Sequence, residues 1–129
     1  MNAARLLWFL LAAVLIVAIV AVCIARGWGA ALLATVFALL PDIALLGAFA
    51  GRGRLKPSRV GFYNLLHAPA LAIGLAVLGA PILLVAAQFW GVLLAGLAWL
   101  AHIAVDRAAG FGLRAADGSI LPVGGGRLA

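Results

Sequence analysis

The sequence of 129 residues has few charged residues and a single cysteine. Charged residues make up 9% of it, whereas about a quarter of a soluble globular domain is charged. This composition excludes a soluble enzyme and a disordered linker. Because Cys23 has no second cysteine to pair with, a disulfide scaffold is excluded as well. Apolar residues make up 68% of the chain, which leaves an integral membrane protein.

Four long apolar stretches account for most of the chain, and each has about the 20 residues that a membrane-spanning helix needs. We expect four helices, over residues 6–25, 28–50, 61–79 and 82–105. Such long runs disfavour a β-barrel, whose strands are short and alternate in polarity. The predicted fold class is all-α, an integral membrane four-helix bundle.

The links between these stretches predict how the helices are paired. Arg26-Gly27 and Ala80-Pro81 are short, so they predict two antiparallel helical hairpins. We expect one transmembrane domain over 1–129, with a flexible glycine-rich tail over 107–129.

Basic residues are distributed unequally between the two ends of the predicted bundle. Arg26 is alone at one end, and the other eight are at the opposite end: Arg5, Arg52, Arg54, Lys56, Arg59, Arg107, Arg114 and Arg127. Because Lys and Arg concentrate on the cytoplasmic side of membranes, we expect both termini and the middle loop to be cytoplasmic.

The same basic residues indicate which partners to expect. The loop residues are expected to bind anionic lipid headgroups, each contributing about 1 kcal/mol; they are Arg52, Arg54, Lys56 and Arg59. Despite a net charge of +6, we expect no nucleic-acid partner, because no aromatic residues interleave with the basic ones. Whether the chain forms a homo-oligomer or has a membrane partner stays open.

Seven polar residues interrupt the apolar stretches or border them, and two of these, Thr35 and Gln88, are interpreted as structural. The other five are Asp42, Asn64, His67, His102 and Asp106. A charged side chain at mid-bilayer costs at least about 2.5–3.5 kcal/mol, so such residues have a structural or functional reason to be there. The predicted topology places all five in the cytoplasmic half of the membrane, on three helices. The spacing of each pair, i,i+3 for Asn64 and His67 and i,i+4 for His102 and Asp106, puts both members on one helix face.

Two histidines and two carboxylates that converge are typical of a site for one divalent metal, namely Zn, Mn or Fe. The predicted ligands are Asp42, His67, His102 and Asp106. We expect Asn64 to orient a ligand or a water molecule, and Arg107 to hold a substrate phosphate. A coordination position open to water indicates a hydrolase that acts on an ester or phosphoester of a lipid-like substrate.

Non-catalytic interpretations of the same residues stay open. The His and Asp side chains can form a polar clasp that sets the register of the helices. They can also relay protons, as in a small permease. The chain would then be a transporter or a non-catalytic membrane subunit. No Ser-His-Asp or Cys-His nucleophile set is visible in the sequence.

The polar residues belong to a wider pattern. It runs through Pro41-Asp42, Tyr63-Asn64-x-x-His67, His102-x-x-x-Asp106-Arg107 and Gly110-Phe111-Gly112-Leu113-Arg114. This pattern resembles a small bacterial membrane family of unknown function, numbered forty-two sixty, over most of the chain. The resemblance implies a four-helix protein of the bacterial inner membrane and assigns no activity. The tail departs from the family, because residues 118–128 lack the histidine expected there.

A fainter likeness is to membrane-bound metal-dependent hydrolases of bacterial inner membranes. Their Pro-Asp, His and His-x-x-x-Asp elements are matched here by the four predicted ligands, Asp42, His67, His102 and Asp106. Their second acid after Pro-Asp is missing, because Ile43 and Ala44 follow Asp42. Their early N-terminal histidine is missing too.

Overall fold

A computed structural model describes residues 1–51 and 53–124 of the chain. The helices are α1 (Ala3–Arg26), α2 (Trp28–Leu39), α3 (Pro57–His67), α4 (Pro69–Val85) and α5 (Trp90–Ala109). Short 3-10 helices at Leu40–Leu45 and Ala87–Phe89 extend α2 and precede α5. Four helical stretches of the described residues are long and apolar enough to cross a bilayer: Ala3–Arg26, Trp28–Leu45, Pro57–Val85 and Ala87–Ala109. The predicted all-α four-helix fold of a membrane protein is confirmed.

The second predicted helix is wrong at its C-terminal end. It was expected to reach residue 50, but α2 ends at Leu39 and the chain tightens into a 3-10 helix. Pro41 has no N–H to donate to the preceding turn, which favours this change. Beyond it, β1 (Phe49–Gly51) and β2 (Arg54–Leu55) form a small antiparallel hairpin.

The third and fourth predicted helices also have different bounds. A break at Ala68 separates α3 from α4, because a residue before proline disfavours the helical conformation and Ala68 adopts φ −77° and ψ 133°. The turn predicted at Ala80-Pro81 is wrong, since α4 continues through Pro81 to Val85. Proline is tolerated inside a membrane helix where neighbouring groups satisfy the freed carbonyl.

Helix α5 is the centre of the bundle and packs against α1, α2 and α4. Within the most apolar 18-residue stretch of each helix, 44% of the residues are buried inside the bundle for α5 and 11% for α1. Small residues make these contacts: Ala101 and Ala104 of α5 pack with Ala12 of α1, and Ala98 packs with Ala30 of α2. Small side chains let helix backbones approach closely in lipid, where there is no hydrophobic drive between helices.

Two glycines allow α4 and α5 to approach most closely. A Cβ atom at Gly96 of α5 would lie 2.8 Å from the Cα of Ala76 in α4. A Cβ atom at Gly79 of α4 would lie 2.6 Å from the Cα of Leu93 in α5. Both distances are well below van der Waals contact, so glycine is required at each position.

The segment that follows α5 packs against the bundle up to Gly124. Asn2 donates from Nδ2 to the carbonyl of Val123 at 2.9 Å, and the Leu55 amide donates to the carbonyl of Gly118 at 3.0 Å. The tail expected over 107–129 differs from the prediction in two respects. Its first residues belong to α5, which ends at Ala109, and its described remainder packs against the bundle. Residues 125–129, including Arg127, lie outside the described residues.

The described basic residues are divided between the two ends of the bundle as the sequence predicts. Arg5 donates from Nε and Nη2 to the carbonyls of Ala108 and Ala109, at 2.9 and 3.0 Å. The start of α1 and the end of α5 therefore lie together, beside the β-hairpin. Arg26 is at the other end, 5.5 Å from the ring centre of Trp90. That the end with more basic residues is cytoplasmic stays a prediction.

Candidate metal centre

The four predicted ligands lie together at the end of the bundle that carries the β-hairpin. Asp42 is on the 3-10 helix after α2, His67 is the last residue of α3, and His102 and Asp106 are one turn apart on α5. Nε2 of His102 lies 3.5 Å from Oδ2 of Asp106 and 3.7 Å from Oδ1 of Asp42. Nε2 of His67 lies 3.6 Å from Oδ2 of Asp106. The structure therefore brings together residues from three separate elements.

The His67 ring is held in one orientation by Tyr63. Nδ1 of His67 is 3.0 Å from the carbonyl oxygen of Tyr63, which can only accept a hydrogen bond. The proton of a neutral imidazole therefore resides on Nδ1, and Nε2 carries the free lone pair. The Tyr63 ring also stacks on His67, with ring centres 3.8 Å apart. Sequence reasoning did not assign Tyr63 to the site, although it is four residues before His67 in the quoted pattern.

Both histidine Nε2 atoms are buried and have no hydrogen-bond partner among residues 1–51 and 53–124. His67 is only 1% exposed. The nearest carboxylate oxygens, at 3.5–3.7 Å, are beyond the 2.7–3.2 Å range of an N–H···O hydrogen bond. Buried polar atoms in proteins nearly always have a partner, so this pair of unpaired nitrogens needs an explanation.

Three separations within the cluster are close to those between metal ligands. Ligand atoms in a tetrahedral zinc site lie about 2.1 Å from the metal, which puts them about 3.4 Å from one another. The three His–Asp separations of 3.5, 3.6 and 3.7 Å are within a few tenths of an ångström of that value. One ligand atom from each of Asp42, His67 and His102 also lies within 4.8 Å of the others, and this group of three does not include Asp106. The donor set fits a divalent transition metal.

Helix α5 holds the end of α3 in place through two side chains. The helix break at Ala68 leaves the last carbonyls of α3 without partners in their own helix. Trp99 donates from Nε1 to the carbonyl of Leu66 at 2.8 Å, and Arg107 donates from Nη2 to the carbonyl of His67 at 2.8 Å. These bonds connect His67 to the helix that carries the other histidine.

Arg107 has a different role from the expected contact with a substrate phosphate. It is 6% exposed, and Nη1 donates to the carbonyl of Phe111 at 2.5 Å. Since Nη2 bonds to His67, two of its guanidinium nitrogens bind backbone carbonyls. Arg107 therefore positions His67 and the start of the C-terminal segment.

Asn64 is beside the cluster, but its amide binds the backbone of the C-terminal segment. Nδ2 donates to the carbonyl of Arg114 at 2.8 Å, and the Arg114 amide donates to Oδ1 of Asn64 at 2.8 Å. This pair of bonds holds residues 110–124 over the site. The expected role of Asn64, orienting a ligand or a water molecule, is not what these contacts provide.

The described basic side chains of the middle loop and the start of α3 are exposed. Arg54 forms an ion pair with Asp117, and Lys56 donates from Nζ to the carbonyl of Gly47 at 2.9 Å. Arg59 is exposed, and Arg52 lies outside the described residues. Hydrogen bonds from Ser119 lower the pKa of Asp117, and Arg54 lowers it further. Lipid-headgroup binding by the four basic residues stays a prediction.

A cavity of about 310 Å³ adjoins the cluster. Its lining includes the carboxylates Asp42 and Asp106, the polar residues Tyr63 and Arg114, and the apolar residues Phe49 and Phe111. Arg114 was noted in the sequence as a basic residue of the tail and as the end of the quoted family pattern, without a role in the site. Its role was not visible there because its contacts are with distant parts of the chain.

The fold and the cluster define a small protein of apolar, membrane-spanning helices with a buried His/Asp site. The model of the family DUF4260, a domain of unknown function, matches residues 6–120, and the chain belongs to this family. No curated protein and no solved structure shows significant similarity to the chain. The family expected from the sequence pattern is confirmed, whereas the likeness to metal-dependent hydrolases gains no support.

Proposed function

We propose that the cluster binds one divalent transition metal, Zn, Mn or Fe, at the cytoplasmic leaflet of the inner membrane. The observation that carries this proposal is the convergence of two buried, unpaired Nε2 atoms on two carboxylates, at separations of 3.5–3.7 Å. Imidazole and carboxylate together suit these metals better than Ca or Mg.

His67, His102 and Asp106 are the ligands that we expect to be held most firmly. They are 1%, 12% and 23% exposed, and all three are on helices. Asp42 is 47% exposed and is on a 3-10 helix. We therefore assign Asp42 as the ligand that exchanges with water.

A site with such an exchangeable position supports hydrolysis. A divalent metal held by these residues would supply an activated water at neutral pH, since bound zinc lowers the pKa of water to about 7. We propose that the site adds one water molecule across the ester or phosphoester bond and that the bond to the alcohol oxygen breaks. Asp42 takes the proton from water and returns it to the departing alcohol. The products are the acid and the alcohol of a lipid-like substrate.

The His–Asp separations also bear on the helix-clasp interpretation. The observed separations are longer than a hydrogen bond, but they are within ion-pair distance if the histidines are protonated, so a clasp of charged side chains stays open. A proton relay would use the same residues without a metal. Metal content therefore separates our proposal from both alternatives.

The test is the metal content of the full chain, purified in a mild detergent without chelators. We expect about one Zn, Mn or Fe per chain by elemental mass spectrometry. The variant H67A/H102A should lose the metal, and D106N should retain much less of it. Thr35→Ala is the matched control, because the Thr35 hydroxyl donates to the Ala31 carbonyl of its own helix and has no other hydrogen-bond partner among the described residues. Its metal content should equal that of the unmodified chain.

Two results would overturn the proposal. One is an unmodified chain that holds no metal after purification and takes up none of the three metals on addition. The other is an H67A/H102A variant that retains metal at the level of the control. The cluster would then be a clasp or a proton path, and a pH-dependent transport assay of Asp42→Asn would separate these two.

A further inference from the structure

Arg114 is the charged residue of the cavity wall that the proposed metal site does not use. It is only 6% exposed, and Nη1 donates to the carbonyl of Gly53 at 2.5 Å. Its guanidinium lies over the Tyr63 ring, 5.2 Å from the ring centre. Its Nε is buried and has no hydrogen-bond partner among the described residues. Arg114 is therefore fixed in position but retains an unpaired charged donor.

The backbone of Arg114 is also held in place. Asn64 binds both its N–H and its carbonyl, so the side chain starts from a fixed point. A guanidinium is well suited to carboxylate and phosphate groups because its planar set of N–H donors matches their oxygens. The fixed position of Arg114 reduces the entropy that would be lost when such a group binds.

The charges that line the cavity favour an anion once the metal of the proposed function is bound, and this step rests on that proposal. Asp42 and Asp106 contribute two negative charges and Arg114 one positive charge. One divalent cation changes the sum from −1 to +1. The lining then has a positive net charge.

The remaining lining is apolar and reaches the surface. Leu45, Phe49, Phe111 and Ile120 line the cavity, and Phe49 and Phe111 are 51% and 50% exposed. A volume of about 310 Å³ is at the lower end of the range for ligand pockets, about 300–1,000 Å³. It holds a headgroup and the first few methylene groups, and a longer chain has to leave across the apolar rim.

We propose that the cavity binds the phosphate or phosphate-ester headgroup of a single-chain amphiphile, and that Arg114 is the residue that recognises the headgroup. The headgroup lies between Arg114 and the proposed metal, and the alkyl chain leaves along Phe49 and Phe111. Arg114 thereby takes the phosphate-binding role that the sequence suggested for Arg107.

The test measures binding of three probes to the purified full chain in a neutral maltoside detergent. The probes are decyl phosphate, inorganic phosphate and decanol, titrated by calorimetry at constant ionic strength. We expect decyl phosphate to bind most tightly, inorganic phosphate at least tenfold more weakly, and decanol not measurably. Equal affinities for decyl phosphate and inorganic phosphate would overturn the proposal that the ligand is an amphiphile. They would indicate a site for free phosphate instead.

Two variants test the role of Arg114. R114K keeps the charge but removes the planar donor set, and it should weaken decyl phosphate binding at least tenfold with unchanged metal content. R26K is the matched control, because Arg26 is an exposed basic residue at the opposite end of the bundle, beside Trp90. Ile120→Trp fills the cavity from a residue that is 40% exposed, and it should weaken binding as well. This second variant still tests the cavity proposal if R114K does not fold.

The outcomes separate this proposal from the metal site. If R114K and Ile120→Trp both bind decyl phosphate as tightly as R26K, the cavity proposal fails even when one metal per chain is present. If the unmodified chain binds no metal, the metal proposal fails. A loss of decyl phosphate binding in R114K would then assign the headgroup to Arg114 alone, and the argument that the metal is needed for anion binding would be wrong.

Discussion

The close approach of α4 and α5 at Gly96 predicts a large effect for the smallest substitution. In Gly96→Ala the new methyl group would lie 2.8 Å from the Cα and 2.9 Å from the Cβ of Ala76. Carbon atoms pack best at about 3.5–4.0 Å, so the helices have to separate by about 0.7–1 Å. The obstacle is backbone and a Cβ atom, which cannot rotate away as a long side chain can. Overpacking of this kind costs about 1–3 kcal/mol.

Gly74→Ala is the matched control for this prediction. Gly74 is in α4, and a Cβ atom there meets nothing within 4 Å. Alanine is the better helix former by about 1 kcal/mol, so this variant should be as stable as the unmodified chain or more stable. The assay is thermal unfolding in detergent, followed by tryptophan fluorescence. Gly96→Ala should lower the Tm by several degrees, and Gly74→Ala should not lower it.

The same substitution also tests the connection between helix packing and the site. His67 is joined to α4 through the break at Ala68, whereas His102 and Asp106 are on α5. Separation of the two helices should therefore weaken metal retention in Gly96→Ala. The reasoning is refuted if Gly96→Ala has the Tm of the unmodified chain, or if Gly74→Ala loses as much stability.

Two further predictions concern the segment that covers the site. Asn64→Leu removes both bonds to the backbone of Arg114 and should cost about 1–3 kcal/mol for each buried group left unpaired. Hydrogen exchange should show lost protection over residues 110–124, and unchanged protection would contradict the role given to Asn64. Ser119→Ala should raise the pKa of Asp117 toward its ordinary value, because bonds from Ser119 are the largest cause of its lowering. Since the folded pKa is lowered, the Asp117 carboxylate stabilises this segment above the ordinary pKa of about 3.9, and the effect is lost as the pH falls through the lowered value. The assay is an NMR titration of the Asp117 carboxyl group in the unmodified chain and in Ser119→Ala. Identical pKa values in the two proteins would refute the assignment.

The sequence by itself determined the membrane fold, the family and the members of the cluster. Long apolar runs leave few alternatives, because every backbone polar group in lipid has to be satisfied within a helix or a closed barrel. Asp42, His67, His102 and Asp106 stood out for the same reason, since polar side chains are costly at that depth. Helical spacing then placed His102 and Asp106 on one face.

Only the tertiary structure decided the positions of the helix breaks and the roles of the supporting residues. Proline at 41, 69 and 81 gives three different results: a 3-10 helix, a break and an uninterrupted helix. Local sequence does not distinguish them, because the outcome depends on what satisfies the freed carbonyls. The Asn64–Arg114 and Arg107–His67 bonds join residues 50 and 40 positions apart. Such contacts exist only after the helices have packed, and they are what places two unpaired histidine nitrogens beside a cavity.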